Sequence, residues 1–209
     1  PPENEIVKPY LEEFNYAEVD LKKDIQLIKN RYINSCNHLD SQFAKVLQYL
    51  QDNALLDSTI VILTGDHGEE FMEKGRWGHN STFSEEQTKT PLILWVPGQS
   101  PRQIDSITSH LDISTTLLCL LGVTNPPDDY SDGFNLLAEN IGRTYTVISG
   151  WDTIAYVDNE NKAVFPMNVI GDQIVTTKSD AKVANEAQFY EKHKTVLVQI
   201  MKEMSRFSN

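Results

Sequence analysis

From Asp20 to about Asp52 the apolar positions Leu21, Ile25, Ile28, Tyr32, Cys36, Leu39, Phe43, Val46 and Leu50 recur at steps of three or four. A single stripe at that spacing predicts one long amphipathic helix. Its other face carries Lys22, Lys23, Lys29, Arg31, Asn37, Lys45 and Gln48, so the helix is expected to cover one side of something larger. Residues 1–18 read as loop or linker, because Pro1, Pro2 and Pro9 interrupt any helix there. After the turn-like Gln51-Asp52-Asn53, the runs Thr59–Thr64 and Pro91–Val96 are apolar without alternation. Runs of that kind predict strands buried on both faces, part of a mostly parallel sheet flanked by helices. The segment between them is rich in Gly, His, Glu and Ser and longer than a simple connection requires, as loops that carry function often are.

The pattern then shortens. Asp112 to Leu121 predicts a short helix, with Asp112 as N-cap and Gly122 as the stop. Pro126 to Gly133 is turn chemistry and a natural boundary. Beyond it Thr144–Ser149, Thr153–Val157, Ala163–Ile170 and Gln173–Thr177 are separated by hairpin spacings, which predicts a small antiparallel sheet. A last helix is expected over Glu186–Arg206, with Phe189, Val196, Leu197, Ile200 and Met204 on one side. The expected architecture is α/β: residues 19–133 hold the parallel sheet and its helices, and 134–209 hold the small sheet and closing helix.

Composition narrows the partners. With 18 Lys+Arg against 30 Asp+Glu, the formal net charge is −12, and no basic run offsets it. Nucleic acid is excluded as a partner, and attachment to anionic lipid by charge alone is disfavoured. Cys36 and Cys119 have no CxxC or His-rich spacing that would suggest zinc, and both are expected as buried, unpaired thiols. No run reaches the roughly 18 apolar residues of a membrane span. Pro1-Pro2-Glu3-Asn4-Glu5 lacks the basic region that opens a signal peptide.

The chemistry is concentrated in Thr64-Gly65-Asp66-His67-Gly68-Glu69-Glu70-Phe71, directly after the first strand. A turn with flanking glycines can let Asp66 and His67 converge on one cation. Carboxylate oxygen plus imidazole nitrogen suits Zn²⁺ or Mn²⁺, and Mg²⁺ or Ca²⁺ less well. Twelve residues on from His67, His79 can bind a second metal, protonate a leaving group or hold an anionic substrate oxygen, and Arg76 can neutralise charge beside it. Glu69 and Glu70 read as solvated or supporting residues, His38 and His193 as surface or packing residues, and Trp151 as a half-buried aromatic.

Asp66-His67-Gly68-Glu69, Gly78-His79-Asn80, Thr90-Pro91-Leu92-Ile93 and Ser109-His110-Leu111-Asp112 followed by Leu121-Gly122-Val123 resemble, in order and spacing, the C-terminal half of sulfatase-like proteins of the alkaline phosphatase superfamily. Within it the pattern is most similar to bacterial inner-membrane proteins with N-terminal transmembrane helices and a periplasmic hydrolase-like domain, a group that includes phosphoethanolamine transferases. The resemblance implies that Asp66 and His67 bind a divalent metal and that His79 and Arg76 contact a sulfate or phosphate ester, which could be a lipid head group. It also implies a nucleophile, further ligands and a membrane anchor that precede Pro1, so no nucleophile is assigned in this chain. Two functions stay open: a metal-dependent hydrolase or transferase of sulfate or phosphate esters, here without its nucleophile, and a non-catalytic periplasmic lipid-sensing or regulatory domain.

Overall fold

The structure, a computed structural model, describes residues 6–167 and 171–206. The chain divides into two compact units, Pro1–Pro101 and Arg102–Asn209.

The first unit is organised on helix α1, Leu21–Asp52. Asp20 caps it, accepting a hydrogen bond from Lys22 N at 3.1 Å. Ile28 is its deeply buried apolar residue, while Leu39, Val46 and Tyr49 stay exposed. The segment before α1 has no regular structure, but it is not a loose linker. Asn34 exchanges hydrogen bonds with the Val7 backbone, Asn30 donates to Pro9 O, and Arg31 donates to Leu11 O and Glu12 O, so three polar residues of α1 pin the chain back along the helix.

Strands β1 (Val61–Thr64) and β4 (Leu92–Trp95) pair from Val61↔Trp95 to Thr64↔Leu92. The pairing is antiparallel, which corrects the expected parallel sheet, and every pair among the described residues is antiparallel. An apolar run reports how much of a strand meets apolar atoms and carries no information on direction. Parallel strands need a crossover, usually a helix, whereas here the connection folds into a two-stranded ribbon and a single helical turn and returns the chain in the opposite sense. Burial is also less than expected: Ile93 is 58% and Trp95 43% exposed. The connection contains β2 (Glu70–Phe71), paired with β3 (Trp77–Gly78), and α2 (Glu85–Thr88).

The second unit begins with α3, Leu111–Leu120, which ends at Gly122 in a left-handed turn with φ +83°. Asp112 is not its cap. The cap position is His110, and Asp112 is fully buried inside the first turn. Its Oδ2 accepts from Ser109 N at 2.7 Å, its Oδ1 accepts from Phe134 N at 2.8 Å, and it pairs with the Arg143 guanidinium. The meander β5 (Tyr145–Ser149), β6 (Thr153–Asp158), β7 (Asn161–Pro166) and β8 (Ile174–Thr177) has the order β5-β6-β7-β8. The expected third strand ran on to Ile170, and its last residues lie outside the described ones. Helix α4, Glu186–Arg206, closes this sheet over a core of Tyr156, Ala163, Val175, Phe189 and Ile200. His193 packs there, its ring 4.5 Å from Phe189 and its Nδ1 3.0 Å from the Tyr156 hydroxyl. Cys36 is exposed and Cys119 half-buried, against the expectation of buried thiols; Cys36 lies on the same part of α1 as the exposed Ile33 and Leu39. Trp151, at a hairpin tip where no layer reaches it, is 89% exposed rather than half-buried.

Candidate functional site

The loop of residues 65–90 takes its shape from Glu70. This carboxylate is completely buried. Its Oε1 accepts from Lys74 N at 3.1 Å and Arg76 N at 2.9 Å, and its Oε2 accepts from Ser84 Oγ at 3.2 Å and Gln87 Nε2 at 2.8 Å. Burial pushes the carboxyl up, but the hydrogen bonds from Gln87, Arg76, Lys74 and Ser84 outweigh it and hold the group below its ordinary range. Gln87 extends the clasp, its Oε1 accepting from Ser81 N and Thr82 N. Gly68 closes the loop against α2, where a Cβ would stand 2.1 Å from Glu86 O, so only glycine allows the approach.

On this frame Asp66, His67, Glu69 and His79 come together at the surface. The imidazoles of His67 and His79 lie 3.9 Å apart between ring centroids. His67 Nδ1 is 2.8 Å from Gly68 O, and since a carbonyl only accepts, that nitrogen carries the proton. His79 Nδ1 donates to Glu69 Oε2 at 2.8 Å. Both Nε2 atoms are thereby left as lone-pair donors, the tautomer a metal ligand needs. Asp66 Oδ2 lies 3.6 Å from His67 Nε2, and two ligands about 2.1 Å from one tetrahedral ion stand about 3.4 Å apart. Donor atoms of His67, Glu69 and His79 all fall within 4.8 Å of one another. Two imidazoles with carboxylates match Zn²⁺ or Mn²⁺ better than Mg²⁺ or Ca²⁺, so the residues present fit a bound divalent cation. Asp66 is 90% exposed at its side chain, and hydrogen bonds from its own and the His67 backbone N–H hold its carboxyl below the ordinary range.

Of the residues singled out in the sequence, Asp66, His67 and His79 meet here. Arg76 enters through its backbone, donating to Glu70 and accepting from Met72 N, while its side chain is exposed. Glu69 and Glu70, expected as solvated or supporting residues, both support the site: Glu69 bonds the His79 ring and Glu70 holds the loop. Tyr32 of α1 belongs to the same neighbourhood: burial raises its phenol, Cys36 adds to this, and the Glu69 carboxylate raises it further.

A family model described as Sulfatase matches residues 2–123. Among curated relatives, inner membrane protein YejM of Salmonella typhimurium is 28% identical over 144 residues, covering 68% of this chain and 24% of that protein. Arylsulfatase K of Bos taurus is 33% identical over 117 residues, covering 56% of this chain and 21% of that protein. The chain thus spans less than a quarter of the length of either relative. Among solved structures, BT4656 in complex with its substrate D-glucosamine-2-N,6-O-disulfate superposes with a TM-score of 0.66 at 21% identity, over 87% of this chain and 41% of that one. The phosphonate monoester hydrolase of Silicibacter pomeroyi gives a TM-score of 0.66 at 20% identity, with the same coverage of 87% and 41%.

Proposed function

Since this chain belongs to the sulfatase family, we propose that it carries the divalent-metal and leaving-group side of a site that cleaves or transfers sulfate or phosphate esters. The observation that carries the reading is the pair of adjacent imidazoles whose Nδ1 protons are committed to Gly68 O and Glu69, beside the Asp66 carboxylate. Asp66 and His67 hold the cation. Glu69 fixes the ring of His79 through Nδ1, and His79 assists the departing oxygen. Arg76, exposed on the same loop, offers a positive charge to the anionic group. A cation bound there supplies Lewis-acid polarisation of the ester oxygen.

We assign the nucleophile to the part of such proteins that this chain, which covers 24% of YejM and 21% of arylsulfatase K, does not span. The likeness to the inner membrane protein YejM supports a bacterial inner-membrane protein, and we propose that this segment lies on its periplasmic side. No helix among the described residues is long and apolar enough to cross a membrane. Calorimetric titration with Zn²⁺ and Mn²⁺ tests the centre. Asp66→Asn and His67→Ala should each weaken binding by tenfold or more, and unchanged affinity in both would overturn the assignment. The chain alone should not turn over p-nitrophenyl sulfate, and measurable turnover would show that it holds its own nucleophile.

A further inference from the structure

The segment ahead of α1, residues 6–20, is a strap with two different attachments. Its first half is fastened to α1 by side chains: Asn34 exchanges hydrogen bonds with the Val7 backbone, Asn30 donates to Pro9 O at 2.6 Å, and Arg31 donates to Leu11 O at 2.7 Å and Glu12 O at 2.6 Å. Its second half reaches the β2–β3 ribbon, where Phe14 and Tyr16 each stand 5.7 Å from the Trp77 ring and 4.7 Å from one another. Trp77 opens β3, Gly78 follows it in register with Glu70, and His79 comes next. The other strand of the ribbon is held by α1: Tyr32 lies 5.1 Å from Phe71, Lys29 Nζ lies 5.7 Å over that ring, and Lys29 pairs with Glu73 at 2.6 Å. The loop that carries His79 is therefore gripped by α1 on one strand and by the strap on the other.

The two grips are unequal. The α1 side combines an ion pair, a cation–π contact and a ring contact on a helix of 32 residues. The strap side rests on two rings, and one of them, Tyr16, is 79% exposed. The Trp77 indole Nε1 beneath that side is buried with no acceptor among the described residues. A buried donor left unpaired opposes the arrangement that holds it. A small apolar gain set against a polar cost leaves a narrow margin, and contacts of narrow margin are the ones that open locally. We propose that the strap regulates the loop site: docked, Phe14 and Tyr16 hold Trp77 and through it position His79, and released, they let His79 move. The inference rests on the metal reading above, in which His79 belongs to the site. By linkage, a metal held there favours the docked strap as strongly as the docked strap favours the metal. Whatever binds or pulls residues 6–20 is then felt at His79.

The test is a Zn²⁺ titration of the whole chain combined with NMR exchange of the Trp77 indole N–H with solvent. Saturating Zn²⁺ should slow that exchange by about threefold or more, and Phe14→Ala should weaken Zn²⁺ binding to a similar extent, because the coupling is reciprocal. Tyr16→Phe keeps the ring and should bind as the unaltered chain does, while Tyr16→Ala, at an exposed position that folding does not depend on, should weaken binding by about twofold or more. Arg31→Gln removes the bonds to Leu11 O and Glu12 O and should both speed the indole exchange and weaken Zn²⁺. An indole exchange indifferent to Zn²⁺, or unchanged Zn²⁺ affinity in both Phe14→Ala and Arg31→Gln, would overturn the proposal. Weaker binding in His67→Ala with the strap variants unaffected leaves the metal centre standing and overturns the strap. If the unaltered chain takes up no Zn²⁺, the metal reading falls and the His79 ring signals of Phe14→Ala decide the strap: displaced from those of the unaltered chain they support it, superimposed they overturn it.

Discussion

Among the described residues each unit of the molecule buries one carboxylate completely, and the two are satisfied by different means. Glu70 in the first unit is held by two backbone N–H groups, a hydroxyl and a primary amide. Asp112 in the second accepts two backbone N–H groups and is neutralised by Arg143, whose guanidinium also lies 4.5 Å over the Phe134 ring. The first arrangement gathers a loop whose outer side carries exposed chemistry. The second fastens the start of α3 to the segment around Phe134. A buried charge can thus shape a site or lock a scaffold, according to whether its partners come from one loop or from distant elements.

The largest effect should follow from breaking the ion pair. Asp112→Ala leaves a guanidinium that is 6% exposed without its carboxylate, at a cost of about 3–5 kcal/mol in urea unfolding. A loss below about 1 kcal/mol would mean that Arg143 finds solvent. Glu70→Ala strands four donors and should cost about 2–3 kcal/mol, with weaker Zn²⁺ binding because His67 and Glu69 lose their frame. Unchanged Zn²⁺ affinity in that variant would separate the clasp from the site.

Glycine packing offers a matched pair. A Cβ on Gly68 would meet Glu86 O at 2.1 Å, and one on Gly133 would meet Leu111 O at 2.1 Å. Each Gly→Ala change should cost about 1–3 kcal/mol, and only Gly68→Ala should lower metal affinity.

Opposite arms of the pH–stability profile should report the two units. The Glu70 carboxyl lies below its ordinary 4.5, so its contribution is present above that value and disappears as pH falls through the lower folded value. Burial, then the hydrogen bond to Asp158, raises the Tyr156 phenol above its ordinary 10.0, so its contribution is complete below 10 and declines as pH rises beyond it. Amide exchange should loosen the surroundings of Glu70 in acid and those of Tyr156 in alkali. Glu70→Gln should flatten the acid arm and Tyr156→Phe the alkaline one. Smallest of all, Trp151→Ser should change stability by no more than about 0.5 kcal/mol, since the ring is 89% exposed.

The long and the repetitive parts of the chain were legible. Nine apolar residues at helical spacing located α1 to within a residue, and hairpin spacings located β5 to β8 because turn residues punctuate them. Strand direction was not legible in the runs that became β1 and β4, since two apolar strands pair either way. Within Glu69-Glu70 the sequence does not tell a solvated residue from a supporting one. The partners that make Glu70 a buried clasp, Ser84 and Gln87, lie 14 and 17 residues away. Asp112 misled for the same reason: its position fits a cap, but its partner Arg143 is 31 residues distant. Asp66, His67 and His79 stood out because Asp and His among glycines are uncommon company for a plain turn.

None of the four groups that donate to Glu70 is a cation. Added electrolyte shortens the reach of charges through water, to about 10 Å at 0.1 M, but it has little hold on hydrogen bonds sealed inside a loop. The frame under His67 and His79 should therefore keep its shape from dilute buffer to molar NaCl, while the attraction or repulsion felt by an approaching anion changes across the same range. Any ionic-strength dependence measured for ligand capture then reports the approach to a chain of net charge −12, with the receiving geometry as a fixed reference.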